Sequence, residues 1–293
     1  MEKEKYKIGI VGAGFVGSAC EIGFDSIAEC VVYDKFKNTE SLETVVEQSD
    51  IIFLCLPTPM DGESGECKTN IIQEVVEEIS LLTDKRKVLI VKSTVPPGTT
   101  DALQQKYEKF TFMMNPEFLT EANFIEDFAT QDRIIVGLPT PDQKHSDGVS
   151  LVGDFYLNFT KTQKNPGQVY FVKNKEAETI KYIGNCFLAT KISFFNEVYE
   201  ICKAADIEYK VVSYLACKDK RIGTSHTAVP GPDGQKGFSK SCLPKDINAF
   251  IYYAKEQGVD PLVLETVWTK NLLVREKHDW KSLPQINGKY KKR

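Results

Sequence analysis

The stretch that decides the fold is YKIGIVGAGFVGSACEIGFDSIA, residues 6–28. Its first part, 6–11, has the apolar character of a buried strand, and GAGFVG at 12–17 supplies three closely spaced glycines. Residues 18–28 have the apolar spacing of a helix, and the strand-like run CVVYD follows at 30–34. Strand, glycine-rich turn, helix and strand in this order predict a βαβ unit.

The alternation of strand and helix continues beyond this unit. Strand-like apolar runs recur at 50–57, 87–94, 109–118 and 132–139, and helical segments lie between the first three of them. Strands that are apolar throughout are typical of a parallel sheet with helices on both faces. The sequence therefore predicts an α/β fold, with a Rossmann-like doubly wound parallel sheet over residues 1–170.

The second half of the chain has a helical pattern. Residues 175–205 contain few helix breakers, a shorter helix is expected at 209–217, and a last helical segment at 244–277. A loop rich in glycine and proline, 227–240, interrupts these helices. We expect an α-helical second domain over 171–293.

Composition and charge argue against several classes of function. The chain has 293 residues and a formal net charge of −4, so nothing global attracts nucleic acid or an anionic membrane. No apolar run approaches the length of a membrane span, and no targeting segment is expected. The eight cysteines are scattered without a CxxC pair, which argues against a zinc site and favours reduced thiols in the cytoplasm.

The glycine-rich turn has the spacing of a dinucleotide-binding fingerprint. Gly12 allows the tight turn, Gly14 lets the backbone approach a pyrophosphate, and Gly17 lets the helix pack on the sheet. The N-terminus of that helix offers N–H groups and a partial positive charge to the phosphates. A glycine turn without a ligand is the alternative, but the flanking strand and helix favour the dinucleotide.

Asp34, at the end of the second strand, discriminates between the two nicotinamide cofactors. Its carboxylate can accept hydrogen bonds from a ribose diol and would repel a 2′-phosphate, so NAD is favoured over NADP. The neighbouring Lys35 and Lys37 weaken this preference.

Two loops are expected at the carboxyl ends of sheet strands, where open α/β sheets bind ligands. One loop carries Thr58, and the other carries Ser93 and Thr94. Their hydroxyls can contact a ribose, a nicotinamide or an ordered water, or they can be ordinary turn-forming groups.

Glu117 and Glu121 lie four residues apart. If Asn115 caps a helix and Pro116 opens it, both carboxylates share one helical face. The alternative is two solvated acids in a first helical turn, where the helix dipole favours negative charge.

Lys181 and Asn185 have the same spacing within the long helix. Their face also carries Ala177 and Leu188, so it is partly apolar. A lysine on such a face either snorkels to solvent or meets a charge.

Cys242 is the strongest candidate for a nucleophile. Pro244 suits the first turn of a helix, so Cys242 is expected at or just before the helix N-terminus. There the helix dipole and Lys245 favour the thiolate, and Asp246 is close enough to share the site. The helical cysteines elsewhere are expected to be packing residues.

A thiolate adds a definite capability to a nicotinamide site. It adds to an aldehyde to give a thiohemiacetal, hydride loss gives a thioester, and water releases the acid. A Rossmann site with a poised cysteine therefore points to an aldehyde dehydrogenase, or to an alcohol dehydrogenase that removes four electrons.

Six segments occur in the order found in one enzyme family. They are GAGFVG (12–17), STVPPGTT (93–100), NPEFLTE (115–121), KYIGNCFLATKISFFNE (181–197), RIG (221–223) and GFSKSCLPKD (237–246). From Lys7 to about Trp280 the chain resembles the UDP-glucose 6-dehydrogenase family, whose relatives oxidise GDP-mannose and UDP-N-acetyl sugars. The resemblance implies NAD-dependent, four-electron oxidation of a nucleotide sugar, with UDP-glucose favoured and UDP-glucuronate, for polysaccharide or glycan synthesis, as the product.

The resemblance also implies roles for individual residues. Cys242 would be the nucleophile, and Lys181 would stabilise the oxyanions. The residues implied to hold and activate water, or to position sugar and nicotinamide, are Asp246, Glu117, Thr94 and Asn185.

Motif and resemblance together give the expected ligand contacts. The cofactor contacts are Gly12, Gly14, Phe15, Val16, Gly17, Asp34, Lys35, Thr58, Thr94, Glu121 and Lys245. The substrate contacts are Glu117, Phe118, Leu119, Glu121, Lys181, Asn185, Arg221, Gly231, Gly234, Gln235, Gly237, Ser239 and Cys242. Arg221 matches an arginine that reaches into the neighbouring subunit, and the long helix matches the family's dimer core, so a homodimer is implied.

The chain departs from the family pattern in two respects. Ser239 and Lys240 stand where the family has two glycines, which allow close approach to the ligand. The family also continues into a further nucleotide-gripping domain, which this chain is expected to lack. A naturally compact form, a shortened chain and a domain supplied by a partner are the alternatives. The alternatives left open are a GDP-mannose dehydrogenase and a non-catalytic relative that binds NAD or a nucleotide sugar.

Overall fold

A computed structural model describes residues 5–163 and 166–283. The strands, in chain order, are β1 (Tyr6–Val11), β2 (Ala28–Tyr33), β3 (Ile51–Leu54), β4 (Val88–Val91), β5 (Thr111–Met114), β6 (Arg133–Leu138) and β7 (Gln168–Lys173). The helices are α1 (Phe15–Phe24), α2 (Leu42–Gln48), α3 (Asn70–Leu82), α4 (Thr99–Lys106), α5 (Phe124–Ala129), α6 (Ser146–Thr162), α7 (Asn174–Ala204), α8 (Tyr209–Ala216), α9 (Cys242–Glu256) and α10 (Leu262–Val274). Short 3₁₀ turns lie at Gln143–His145 and Asp279–Ser282.

Two compact units divide the described residues. The first unit holds 5–58 and 68–181, and the second holds 59–67 and 182–283. The boundary between them therefore falls inside α7. The domain division at residue 170 stays a prediction.

The sheet of the first unit has the strand order β2-β1-β3-β4-β5-β6-β7. The chain winds outward in both directions from β1, because β2 pairs on one side of it and β3 on the other, both parallel. This confirms the predicted Rossmann-like, doubly wound α/β fold. The order reverses between β1 and β3, and open α/β sheets bind ligands at the carboxyl ends of the strands at such a point.

Alternation along each strand explains why both faces of the sheet are covered. Ile51 and Phe53 of β3 belong to the core packed under α1, α5 and α6, whereas Ile52 and Leu54 belong to the core packed under α2, α3 and α4. All four side chains are buried. An apolar residue at every position of a strand is therefore what two covered faces require.

One strand departs from the predicted parallel arrangement. β6 runs antiparallel to β5, with Met114 opposite Gly137, and β7 then pairs parallel to β6. The segment between β5 and β6 contains the six-residue helix α5. β6 therefore begins at the edge of the sheet where β5 ends.

Two elements lie between residues 140 and 173, where none was predicted. In α6, the buried residues Val152, Phe155, Tyr156 and Phe159 follow the helical period. Two internal glycines and several polar residues obscure this pattern in the sequence. β7 is an edge strand whose side chains are mostly exposed, although it contains the apolar run VYFV at 169–172, a signal that sequence reasoning missed.

The expected last helical segment, 244–277, is two helices. α9 ends at Glu256, and Gly258 follows with φ +73°, in the left-handed region that favours glycine. Pro261 then precedes α10, where it cannot donate a backbone N–H to a continuing helix. None of the described helices is long and apolar enough to cross a membrane.

Phe24, on α1, ties the glycine turn's helix to the sheet and to two further helices. Its ring centroid lies 5.2 Å from that of Phe53, 5.2 Å from Phe128, 4.9 Å from Phe155 and 5.0 Å from Phe159. Three of these four contacts are edge-to-face, a favourable geometry for aromatic rings. The cluster therefore sets the position of α1 on the sheet.

We expect Phe24→Ala to lower the free energy of unfolding by about 3–5 kcal/mol, because it leaves a cavity among four aromatic rings. Ile22→Ala is the matched control on the same helix, since Ile22 is 52% exposed. Urea unfolding followed by circular dichroism measures both. Equal effects of the two substitutions would contradict the central role of Phe24.

Candidate active site

The glycine turn between β1 and α1 leaves room for a ligand above it. Gly12 has φ +99°, and a Cβ atom there would lie 2.3 Å from the carbonyl oxygen of Cys55. A Cβ atom on Gly17 would lie 1.9 Å from the carbonyl oxygen of Gly12, whereas one on Gly14 would meet nothing within 4 Å. Gly12 and Gly17 are therefore packed tightly against neighbouring backbone, whereas the space beside Gly14 is open. A dinucleotide pyrophosphate requires such an open approach to the backbone.

The start of α1 suits an anion. Its N-cap is Gly14, and no side chain caps the helix. Phe15 and Val16 supply the first backbone N–H groups, which lack intrahelical acceptors. Both N–H groups can meet a phosphate, and the contact of these residues with NAD stays a prediction.

Asp34 lies directly after β2 and fixes the turn from the side. Its carboxylate accepts hydrogen bonds from the backbone N–H groups of Ala13, at 2.8 Å, and Phe36, at 2.9 Å. Lys37 donates to the carbonyl oxygen of Ala13, and Lys35 is exposed. The remaining lone pairs of Asp34 fit the predicted ribose contact of NAD.

The two polar loops at the carboxyl ends of β3 and β4 are bonded to each other. Ser93 Oγ accepts from the N–H of Leu56 at 2.9 Å and donates to the Leu56 carbonyl at 2.6 Å. Thr58 Oγ1 donates to the carbonyl of Thr94 at 2.8 Å. The structure brings Thr58 and Thr94 together, and it gives the Ser93 hydroxyl a structural role.

Glu117 and Lys181 form a buried ion pair. Lys181 Nζ lies 3.0 Å from Glu117 Oε1, and the two residues are 4% and 8% exposed. Glu117 Oε2 also accepts from the N–H of Leu119 at 2.7 Å. The ring of Phe118 lies beneath the ammonium group, 5.5 Å from Nζ. Lys181 therefore meets a charge instead of snorkelling to solvent.

The predicted helix from Pro116 is wrong, and so is the shared face of Glu117 and Glu121. Residues 115–120 are irregular, and Glu121 is exposed in a turn that precedes α5. The side chain of Asn115 cannot cap a helix, because it is buried and bonded elsewhere. Its Oδ1 accepts from Lys92 and Tyr156, and its Nδ2 donates to a backbone carbonyl of β6.

In the second unit, the candidate nucleophile lies where predicted. Cys242 is the first residue of α9, half-buried, with its Sγ 3.6 Å from the Oγ of Ser241. Pro244 occupies the first turn of the helix, where its missing N–H has no cost. The thiol thus sits at the positive end of the helix dipole, which favours the thiolate.

Two polar residues share one carboxylate in the turn after the thiol. Asp246 is 1% exposed, and its Oδ1 accepts from Lys245 Nζ at 2.5 Å. Its Oδ2 accepts from Asn185 Nδ2 at 2.5 Å. Burial alone would lower the pKa of Lys245, but the Asp246 carboxylate holds this pKa above its usual range. Lys245 is therefore a fixed cation, and Asp246 is held in one orientation.

Three buried side chains hold the loop that carries five of the expected substrate contacts. Asn271 bonds both backbone groups of Phe238, accepting at 2.7 Å and donating at 3.1 Å. Arg275 pairs with Asp233 at 2.5 Å. Asn196 accepts from the N–H of Gly237 at 3.1 Å. The expected contacts in this loop are Gly231, Gly234, Gln235, Gly237 and Ser239.

Sequence reasoning missed these three supporting residues. Asn271 and Arg275 lie at the end of α10, in the otherwise apolar run NLLVR. Polar side chains in such a run must find partners if they are buried, and Asn271 is 0% exposed. Polar residues within an apolar helical run were therefore the sequence signal that could have identified these supporting residues.

Ser239 and Lys240, which stand where the family has two glycines, lie in a loop with glycine-like backbone conformations. A Cβ atom on Gly237, which has φ +70°, would lie 2.3 Å from Asn271 Oδ1, so only glycine fits there. Lys240 has φ +62°, the left-handed conformation that a glycine adopts without cost. Ser239 donates a hydrogen bond to Asp233 Oδ2 at 3.3 Å. The loop thus keeps a glycine-like backbone at Lys240 while carrying a side chain.

Arg221, expected to act on a neighbouring subunit, is exposed. Its guanidinium is bonded to Asp219, with Nη2 2.6 Å from Oδ2. It precedes Gly223, which has φ +68°. The guanidinium is therefore held at the surface of the second unit.

Comparison with known proteins identifies the family. The model of the NAD binding domain of the UDP-glucose/GDP-mannose dehydrogenase family matches residues 20–159, and that of its central domain matches 175–272. The chain belongs to the UDP-glucose/GDP-mannose dehydrogenase family. This confirms the resemblance and the predicted cofactor, NAD. The first match begins after the glycine turn, so the assignment of Gly12–Gly17 rests on the geometry above.

Individual relatives agree with this family. The chain is 33% identical to the UDP-glucose 6-dehydrogenase of Rickettsia bellii, with 83% of this chain and 54% of the relative covered. It is 30% identical to the enzyme of the same name from Rhizobium meliloti, with 92% and 61% covered. A UDP-glucose dehydrogenase structure from Pyrobaculum islandicum superposes with a TM-score of 0.81 at 27% identity, covering 93% of this chain and 69% of that one. The chain thus spans little more than half the length of these curated relatives.

We expect Lys181→Met to lower the free energy of unfolding by about 3 kcal/mol or more, because it leaves the Glu117 carboxylate buried without its cation. The double variant Lys181→Met/Glu117→Gln removes that charge and should recover part of the loss. Denaturant unfolding of both single variants and the double variant gives the coupling energy. Additive losses would mean that the two side chains do not form a pair.

Proposed function

We propose that the chain catalyses NAD-dependent, four-electron oxidation of the C6 alcohol of UDP-glucose to UDP-glucuronate. The observation that carries this proposal is the half-buried thiol of Cys242 at the first position of α9, followed within one turn by a buried Lys245–Asp246 pair. A simple alcohol dehydrogenase has no use for a thiolate. The family, its NAD binding domain and the named relatives support the substrate class.

NAD, when bound, accepts one hydride in each of two oxidation steps. In the first step the sugar alcohol loses a hydride and a proton and becomes an aldehyde. The Cys242 thiolate then adds to the aldehyde carbon to form a thiohemiacetal, and loss of the second hydride gives a thioester. Water attacks the thioester, the C–S bond breaks, and the acid and the thiol are released.

The remaining candidate residues are assigned roles in the same reaction. We assign Lys181 to the oxyanions, because an ammonium group already held in a dry environment needs little reorganisation to stabilise a developing negative charge. Glu117, Asp246 and Thr94 hold and activate water. Asn185 positions the sugar and the nicotinamide, and its bond to Asp246 orients the carboxylate.

The glycine loop is the proposed contact for the nucleotide sugar. Gly231, Gly234, Gln235, Gly237 and Ser239 present backbone groups and short side chains that can approach a diphosphate closely. The half-buried Phe118 and Leu119 are proposed to contact the substrate beside Glu117. The cytoplasm is the proposed location, because scattered cysteines without a CxxC pair are typical of reduced thiols.

The decisive experiment measures NADH formation with UDP-glucose and NAD. We expect two NADH per sugar for the unmodified chain, and a loss of roughly 10³-fold or more in the rate of Cys242→Ala, because the nucleophile is removed. Cys30→Ala, which removes a half-buried thiol from β2, should leave the rate unchanged. NAD binding should survive in both variants.

Other outcomes separate the alternatives. One NADH per sugar, with no effect of Cys242→Ala, would indicate a simple alcohol dehydrogenase. Faster turnover of GDP-mannose than of UDP-glucose would assign the chain to that substrate. NAD binding without NADH formation from either sugar would favour a non-catalytic relative.

We also propose that a second copy of the chain covers α7. Ile183, Phe187, Phe194 and Ile201 are 56%, 64%, 61% and 58% exposed. Their spacing of four, seven and seven residues puts them on one face of the helix. An apolar stripe of this length is typical of a helix-mediated interface, and Arg221 is proposed to reach the site of the neighbouring subunit.

We expect Phe194→Glu to convert a dimer into a monomer, because it buries a charge in the proposed interface. Leu81→Glu on α3 is the control, since Leu81 is 83% exposed and lies in the other unit. Sedimentation equilibrium measures the mass of each. A wild-type monomer, or a dimer that Phe194→Glu leaves intact, would exclude this face as the interface.

A further inference from the structure

Glu178, on α7, is a buried carboxylate to which the proposed reaction gives no role. It is 0% exposed. Its Oε2 accepts from the N–H of Gly98 at 2.5 Å, and its Oε1 accepts from the N–H of Thr100 at 2.8 Å. Both oxygens therefore bond backbone groups at the N-terminus of a different helix, α4.

These contacts replace the cap that α4 lacks. The N-cap residue is Gly98, with φ +101°, and it has no side chain to accept from the first N–H groups of the helix. The Glu178 carboxylate satisfies two of them and also meets the positive end of the helix dipole. α4 thus begins where it does because a residue 78 positions later in the chain caps it.

One turn earlier on α7, Asn174 makes a second tie to the same region. It is 0% exposed. Its Oδ1 accepts from the N–H of Met114 on β5 at 2.9 Å, and its Nδ2 donates to Asp101 on α4 at 3.1 Å. The first turns of α7 are therefore anchored to both α4 and β5.

The loop between β4 and α4 is consequently fastened at both ends. At its start, Ser93 and Thr94 are bonded to the loop after β3, as described above. At its end, Gly98 is bonded to Glu178. Pro96 and Pro97 lie between these ends and stiffen the backbone, because their rings fix φ.

Lys181 follows Glu178 by three residues on α7 and is paired with Glu117. A shift of this part of α7 against α4 would therefore move Lys181 and the Thr94 loop relative to each other. We propose that Glu178 is a positioning residue, which fixes the loop carrying Thr94 against the turn of α7 carrying Lys181. This rests on the proposed function only in assigning Thr94 to the NAD site.

The charge state of Glu178 gives the positioning a pH dependence. Burial raises the pKa of the Glu178 carboxyl to about 7, although hydrogen bonds from Thr100 and Gly98 act in the opposite direction. The charged group that faces it from α4 is Asp101, which raises the pKa further. On α7, Lys175 lies three residues before Glu178 and is exposed, and Lys181 lies three residues after it and is bonded to Glu117. Above pH 7 the ionised carboxylate accepts both N–H bonds with a full charge, and below pH 7 protonation weakens this hold.

The test measures NAD affinity by calorimetry at pH 6 and pH 8 and hydrogen exchange at the amides of Gly98 and Thr100. Glu178→Gln keeps the side-chain size but offers one acceptor oxygen in place of two, so we expect about tenfold weaker NAD binding at pH 8. We also expect faster exchange at one or both amides and loss of the wild-type gain in affinity from pH 6 to pH 8. Glu176→Gln is the control, because Glu176 is exposed and caps only the start of α7.

Faster exchange together with unchanged NAD affinity would overturn the proposal, because it would reduce Glu178 to a structural cap. Unchanged exchange, or an effect equal to that of Glu176→Gln, would overturn it as well. If Glu178→Gln does not fold, Glu178→Asp decides, since its shorter carboxylate stays ionisable and should give weaker binding that still improves with pH. These readouts need no turnover, so a failure of the proposed oxidation is seen separately as absent NADH formation.

Discussion

The burial of the central strands on both faces is the constraint on which the first unit depends. β3 and β4 have no exposed side chain, so each residue must be covered by a helix on one side or the other. The helices α1, α2, α3 and α4 each join two parallel strands, because each returns the chain to the edge of the sheet where the strands begin. All the loops that follow β1, β3 and β4 therefore gather at one edge. The direction of the strands therefore places the glycine turn, Thr58 and Thr94 at this edge.

Buried charge is the second theme, and every case among the residues discussed has a specific partner. Glu117 is paired with Lys181 and Asp246 with Lys245, whereas the buried Arg275 is paired with the exposed Asp233. Such pairs contribute little net stability, because desolvation of two ions offsets much of their attraction. They do fix orientation, because leaving either partner alone in the interior is costly. The pairs of Lys181 and Lys245 hold groups that the proposed chemistry needs, which is a reason to retain them over apolar packing.

Glu178 differs from these pairs, since its partners are backbone N–H groups. Its raised pKa means that the folded state holds the proton more tightly than the unfolded state does. Ionisation of Glu178 therefore costs folding stability as the pH rises through about 7, while it strengthens the hold on α4. The ionised Glu178 thus holds the start of α4 in place but lowers the free energy of unfolding. Functional sites are where such a loss of stability is expected.

The sequence determined much of the architecture by itself. Apolar runs located β1, β3 and β4, the long helix α7 was visible from its period, and the glycine spacing with Asp34 indicated NAD. It also placed Cys242 at a helix N-terminus, because Pro and the helical period that follows are local signals. Such features depend on neighbours within a turn or two along the chain.

Only the tertiary structure decided the rest, because the deciding contacts join residues far apart in sequence. The Asn115 side chain was free to cap a helix by any local rule, but Lys92 and Tyr156 bind it, and the segment with Glu117 is irregular instead. The direction of β6, the pairing of Lys181 with Glu117, the cap of α4 by Glu178 and the support of Phe238 by Asn271 have the same origin. Local propensities differ by fractions of a kcal/mol, whereas a buried polar group left without a partner costs about 1–3 kcal/mol, so the long-range contacts prevail.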